Sequence, residues 1–101
     1  MKGSDPTMVT QEEFDRRSAE VRATPEYQTA YRNAEIAYQI GKTVREAREA
    51  RGWTQTELAH RSGLKQHAIS RLEAGDVVPT LSTLEKIAQA FGGHVQVSIA
   101  A

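Results

Sequence analysis

TQTELAHRSGLKQHAISRLEAG, residues 54–75, reads as two short helices joined by a tight turn. Thr54 stands where a cap belongs, and Glu57 follows three residues later, the spacing of a capping box. Leu58 and Ala59 give the first helix a small apolar face. Gly63 falls where the chain must reverse, a position that favours a residue without Cβ. Leu64 plugs the corner. In the second helix Ile69 and Leu72, three apart, point inward, and Gly75 supplies a stop. Its other face carries Gln66, His67, Ser70 and Arg71, side chains able to hydrogen-bond the edges of bases.

With Thr54-Gln55, Leu58-Ala59, Gly63-Leu64, Gln66, Ile69-Ser70-Arg71-Leu72-Glu73 and Gly75 in place, the segment resembles the helix-turn-helix of the phage-repressor class, the Cro/cI-like or XRE-type regulators. The likeness extends less tightly over residues 42–92. It implies an all-α, lambda-repressor-like bundle whose second motif helix enters the major groove of double-stranded DNA. Gln66, His67, Ser70 and Arg71 would then face the bases, Gln66 suited to adenine and Arg71 to guanine. Thr54, Gln55 and Lys65 would lie against phosphates. The resemblance also implies an Arg48–Glu73 pair that ties the preceding helix to the end of the recognition helix, with Gly63 shaping the turn. The alternative for the four base-facing residues is ordinary exposed helix surface, and for Arg71 an ion pair with Glu73 or Glu57. Lys65 departs from the family pattern, which often has Ser or Thr there. That loses a cap, typically ~1 kcal/mol, and places a cation where phosphate would lie.

Net charge is zero over 101 residues, yet the charge is unevenly spread. Residues 1–41 hold 5 Lys/Arg against 7 Asp/Glu, residues 42–75 hold 7 against 4, and residues 76–101 hold 1 against 2. The excess of three positive charges falls on residues 42–75, the helix before the motif together with the motif, which suits phosphate. There is no cysteine, hence no disulfide. No apolar run approaches the ~18 residues of a membrane span, and no signal peptide is visible, so a cytoplasmic protein is expected. His60, His67 and His94 lack metal-ligand spacing, and no phosphate loop, nucleophile elbow or paired carboxylates appear. The expectation is a binding protein, not an enzyme, with no metal and no cofactor.

Residues 1–8 (MKGSDPTM) read as an expression remnant ahead of a native start at Met8, of a composition that favours disorder. Residues 9–41 form a helical arm. Thr10 and Glu13 repeat the capping-box spacing, and Phe14 and Val21 lie one heptad apart. Thr24-Pro25 then opens a helix predicted to run to about Arg51. Tyr27, Tyr31, Ala34, Tyr38, Gly41 and Val44 make a stripe along it. Gly41-Lys42-Thr43 is its weakest point, where it could bend or break. Phe14, Tyr27, Tyr31 and Tyr38 are candidates for a partner surface, the alternative being that the tyrosines pack on their own domain. Residues 42–92 hold the DNA-binding domain, with Trp53 expected in its core. Leu81, Leu84, Ile87, Ala88 and Phe91 share one face of a helix from Thr80 to Phe91. In residues 93–101, Val95, Val97 and Ile99 alternate with polar residues, the period of a half-buried strand. No second strand is evident, so a short C-terminal β-strand is predicted to pair with its copy in a homodimer, or else to join a sheet of a partner protein.

The wider layout, a TPEY-led helix, the motif, PTLSTLEKIAQAFGG and an alternating tail, resembles HigA-type antitoxins and related HipB-like regulators. That implies a homodimer on a pseudo-palindromic operator and a partner toxin, often an RNA-cleaving one. The alternatives are a stand-alone phage-type repressor without a toxin and, from another class, a helical protein-interaction or co-activator adaptor.

Overall fold

In the computed structural model, residues 9–101 are described; the segment read as an expression remnant, residues 1–8, lies outside them. Five helices follow in order: α1 Gln11–Arg22, α2 Pro25–Ala50, α3 Gln55–Ser62, α4 Gln66–Glu73 and α5 Leu81–Ala90. The chain divides into two compact units, one ending at Arg32 and one spanning Asn33–Ala101.

In the first unit, the Thr10 hydroxyl accepts the Glu13 amide at 3.0 Å and starts α1. Thr24 does the same for Tyr27 at 3.2 Å, with Pro25 at the first helical position of α2. Both starts follow the sequence signals. α1 buries none of its residues. Phe14 and Val21 are more than half exposed.

The second unit is built around α3. Leu58 and Ile69 are fully buried, and Val44, Ala59, Leu72 and Ile87 complete a core drawn from α2, α3, α4 and α5. Each large aliphatic side chain so buried contributes roughly 1.5–3 kcal/mol. Ile40, Trp53, Leu64 and Phe91 seal its margin; Trp53, expected within the core, is half-buried at its edge. The Trp53 and Phe91 rings stack at 5.7 Å. Arg61 lies 4.2 Å over the indole and Arg51 4.5 Å over the Phe91 ring, so two cations cover the aromatic margin from solvent. Thr80 caps α5 through the Thr83 amide.

Three expectations are corrected. α2 neither breaks nor bends out of helix at Gly41-Lys42-Thr43; it is continuous from Pro25 to Ala50 and buries Gly41. Leu81, assigned to the packed face of α5, is 60% exposed, because the first turn of the helix lies beyond the core. The predicted C-terminal β-strand is absent: residues 94–101 adopt no regular structure, and no strand occurs among the described residues. Alternation alone cannot hold a strand without a ladder partner, and the chain supplies none. Instead the tail is tacked to α5. The Gly93 amide donates to Ala88 O at 2.9 Å, and the Val95 amide donates to the Glu85 carboxylate at 3.2 Å. Val95 is half-buried and lines an apolar cleft with Val44, Ala47, Leu84 and Ile87, whereas Val97 and Ile99 are 76% and 90% exposed.

Candidate nucleic-acid interface

The turn between α3 and α4 is fixed locally. Thr54 accepts the Glu57 amide at 3.0 Å and starts α3. Gly63 ends it in the left-handed region, φ 75°, its amide donating to Ala59 O. That conformation costs a Cβ-bearing residue and is why glycine serves here. The Leu64 amide donates both to Ala59 O and to the buried Ser62 hydroxyl, so the corner has no idle backbone donor there. Lys65 occupies the N-cap of α4 with no side-chain cap bond, as its departure from the family pattern implied. The first amides of α4 and the Lys65 ammonium therefore face solvent together, a ready partner for a phosphate.

Along α4, Ile69 and Leu72 are buried, while Gln66, His67, Ser70 and Arg71 are all exposed. Gln66 with Ser70, and His67 with Arg71, are four apart and thus lie on one side of the helix. Among the described residues Arg71 makes no ion pair. Its two expected competitors are engaged elsewhere: Glu57 holds Arg61 at 2.7 Å, and Glu73 holds Arg48. The guanidinium is left available for a bidentate contact.

The Arg48–Glu73 pair is present and bidentate. Arg48 Nε donates to Glu73 Oε2 at 2.7 Å, Nη2 donates to Oε1 at 2.9 Å, and Nη1 donates to Trp53 O at 2.8 Å. The side chains are 12% and 3% exposed. The hydrogen bond to Glu73 raises the Arg48 pKa above the ordinary guanidinium value, burial opposing and the Glu73 charge assisting. A raised basic pKa means that the guanidinium's own contribution is present below its unfolded value and fades only as pH climbs through the folded one.

Gln55 is placed differently from the simple phosphate contact expected of it. It is half-buried at the start of α3 and its amide donates to Glu73 Oε1 at 3.2 Å. Its backbone amide remains in the unpaired first turn of α3. Glu73 thus receives α2 through Arg48 and α3 through Gln55, and so fixes the C-terminal end of α4 from two sides. Sequence periodicity carries no trace of this three-way contact, because its members are 18 and 25 positions apart.

Residues 44–97, a little over half of the chain, match the helix-turn-helix family HTH_3. The chain belongs to this family of DNA-binding transcriptional regulators. Among its relatives is the uncharacterized HTH-type transcriptional regulator y4dJ of Sinorhizobium fredii, 41% identical over 58 residues, which are 56% of this chain and 75% of that protein. Antitoxin HipB of Escherichia coli is 40% identical over 53 residues, covering 52% of this chain and 60% of HipB. A crystal structure of an HTH_3 family transcriptional regulator from Vibrio cholerae superposes with a TM-score of 0.59 at 26% identity, over 60% of this chain and 34% of that one. The chain thus spans three-quarters of y4dJ but only about a third of the Vibrio cholerae protein. The matched residues include both α3 and α4, the two helices of the motif.

The remaining predicted partner residues divide between the units. Phe14 and Tyr27 line a cleft of about 380 Å³ in the first unit, with Arg17, Ser18, Val21 and Arg22. Tyr27 is half-buried and stacks on Tyr31 at 6.5 Å, while Tyr31 and Tyr38 are each more than half exposed. No helix of the described residues is long and apolar enough to cross a membrane.

Proposed function

We propose that the protein is a sequence-specific repressor that inserts α4 into the major groove of its operator. The observation that carries this reading is the face of α4: Gln66, His67, Ser70 and Arg71 exposed together, on a helix whose far end is locked by a nearly buried bidentate ion pair. Arg71 has the geometry to donate to guanine and Gln66 to pair with adenine. Lys65 and the first turns of α3 and α4 supply phosphate contacts. One such helix reads only a few base pairs, so the working form is a homodimer. Its two recognition helices would sit about one DNA turn, ~34 Å, apart on a pseudo-palindromic site. A protein of this kind acts as a binding module and not as an enzyme, in the cytoplasm where the DNA is.

The finer reading is an antitoxin that represses its own operon and neutralises an RNA-cleaving toxin. It is supported by the likeness to antitoxin HipB and by the exposed aromatic residues of the arm, Phe14, Tyr31 and Tyr38 with the half-buried Tyr27. Aromatic side chains commonly anchor protein interfaces.

The test is a mobility shift on the DNA upstream of the gene. Gln66→Ala and Arg71→Ala should each weaken operator binding by ~1–3 kcal/mol. Gln66→Ala removes no charge and should leave binding to random DNA unchanged. Equal loss on operator and random DNA would sink the base-reading role. Co-expression with the product of a neighbouring small gene tests the antitoxin role, and growth arrest that the protein fails to relieve would reduce the reading to a stand-alone repressor.

A further inference from the structure

Gly41 lies in the middle of α2, where glycine is a destabilising choice relative to alanine. Its environment explains why it is there. A Cβ built on Gly41 would stand 2.4 Å from Leu72 O, 2.9 Å from Glu73 O and 3.1 Å from the Glu73 carbonyl carbon. All three are backbone atoms at the C-terminal end of α4, so no side chain can swing aside to make room. Gly75, just beyond α4, makes a second close approach to the same helix: its Cβ would stand 3.3 Å from Tyr38 Cα, and its φ is +77°. Ala37, one turn before Gly41, is buried at 3%. Ala37, Gly41 and Gly75 thus form a seam along which the backbones of α2 and of the α4 terminus touch. The Arg48–Glu73 bond closes over the same terminus from two turns further along α2.

We propose that this backbone seam, with Gly41 at its centre, sets the depth and tilt of the recognition helix and makes Gly41 a positioning residue for base reading. It rests on the reading of α4 as the DNA-reading helix. The geometry sets the size of the effect. Relief of a 2.4 Å approach to an ordinary van der Waals contact, 3.4 Å or more, moves the end of α4 by about 1 Å. Hydrogen bonds to base edges tolerate only about 2.7–3.2 Å between heavy atoms, so a 1 Å displacement of the helix breaks or bends them. Phosphate contacts from long, flexible side chains absorb such a shift. The loss should therefore fall on specificity.

The experiment compares full-length parent, Gly41→Ala and Val44→Ala. Each is titrated against a duplex selected by the parent from a random pool and against an unselected duplex, well below the melting temperature. Val44→Ala loosens the same helix in the core without touching the seam. Gly41→Ala is expected to lose about ten- to a hundredfold on the selected duplex and less than threefold on the unselected one. Val44→Ala should keep the parent's ratio. Reselection with Gly41→Ala should return altered base preferences. Should Gly41→Ala fail to fold, Gly75→Ala, whose Cβ would stand 3.3 Å from Tyr38 Cα and whose left-handed φ adds backbone strain at the same end of α4, must show a loss of the same kind. A parent that selects no sequence removes the reading of α4 and this proposal with it. A parent that selects a sequence, beside a Gly41→Ala or Gly75→Ala protein with an unchanged ratio, overturns the seam alone. The same holds if Val44→Ala loses the ratio equally.

Discussion

Replacement of Glu73 by alanine should strongly destabilise the second unit. Glu73 is 3% exposed and accepts two bonds from a guanidinium that is itself only 12% exposed, plus a third from Gln55. In Glu73→Ala, Arg48 stays in place with one acceptor, Trp53 O. The Gln55 amide loses its acceptor as well. Removal of one partner of a buried pair costs ~3–5 kcal/mol, since the other charge is left unpaired. The whole stability of a small domain is roughly 5–15 kcal/mol. At about 4–8 °C per kcal/mol for a domain of this size, the melting temperature should fall by at least ~12 °C. The exposed pair Arg61–Glu57 provides the contrast, with side chains 48% and 41% exposed at the same 2.7 Å. Solvent screens it, and Glu57→Gln should cost under ~1 kcal/mol. Thermal unfolding followed by circular dichroism reads both variants. Operator affinity of Glu73→Ala, measured well below its melting point, should also drop, because the end of α4 has lost its tether. A Glu73→Ala protein that melts within about 4 °C of the parent and binds its operator normally would refute the claim that the pair holds the recognition helix.

Lys65→Thr should act in two opposite directions. A hydroxyl at the uncapped start of α4 should add ~1 kcal/mol of stability, read by urea denaturation. The lost cation should lower the salt dependence of DNA binding by about one unit of slope; an unchanged slope would show that Lys65 stays away from phosphate. In the arm, Tyr27→Ala with Tyr31→Ala should abolish relief of toxin-induced growth arrest and leave operator binding intact. Retained neutralisation would make the arm a structural element only.

Leu58→Ala, by contrast, tests packing alone. Leu58 is fully buried, and the cavity should cost ~2–5 kcal/mol whatever the protein binds.

The helix starts and the two faces of α4 are legible in the sequence, because their signals are local. Thr10, Thr24 and Thr54 cap the helices that follow through side-chain oxygens, each accepting from the amide three residues on. Gly63 ends α3 because a left-handed residue must stand there. Buried Ile69 and Leu72 and exposed Gln66, His67, Ser70 and Arg71 follow from the 3.6-residue period. Tertiary structure decided what depends on two distant segments meeting. A glycine inside α2 reads as a weak point in sequence, but the end of α4 packs where its Cβ would be. Gln55 reads as a free amide, yet its side chain donates to Glu73. The alternating tail looked like a strand, but a strand is made by its neighbour, and residues 94–101 have none among the described residues. Periodicity tells a residue which side of its own element it lies on. Only the fold tells it what it meets there.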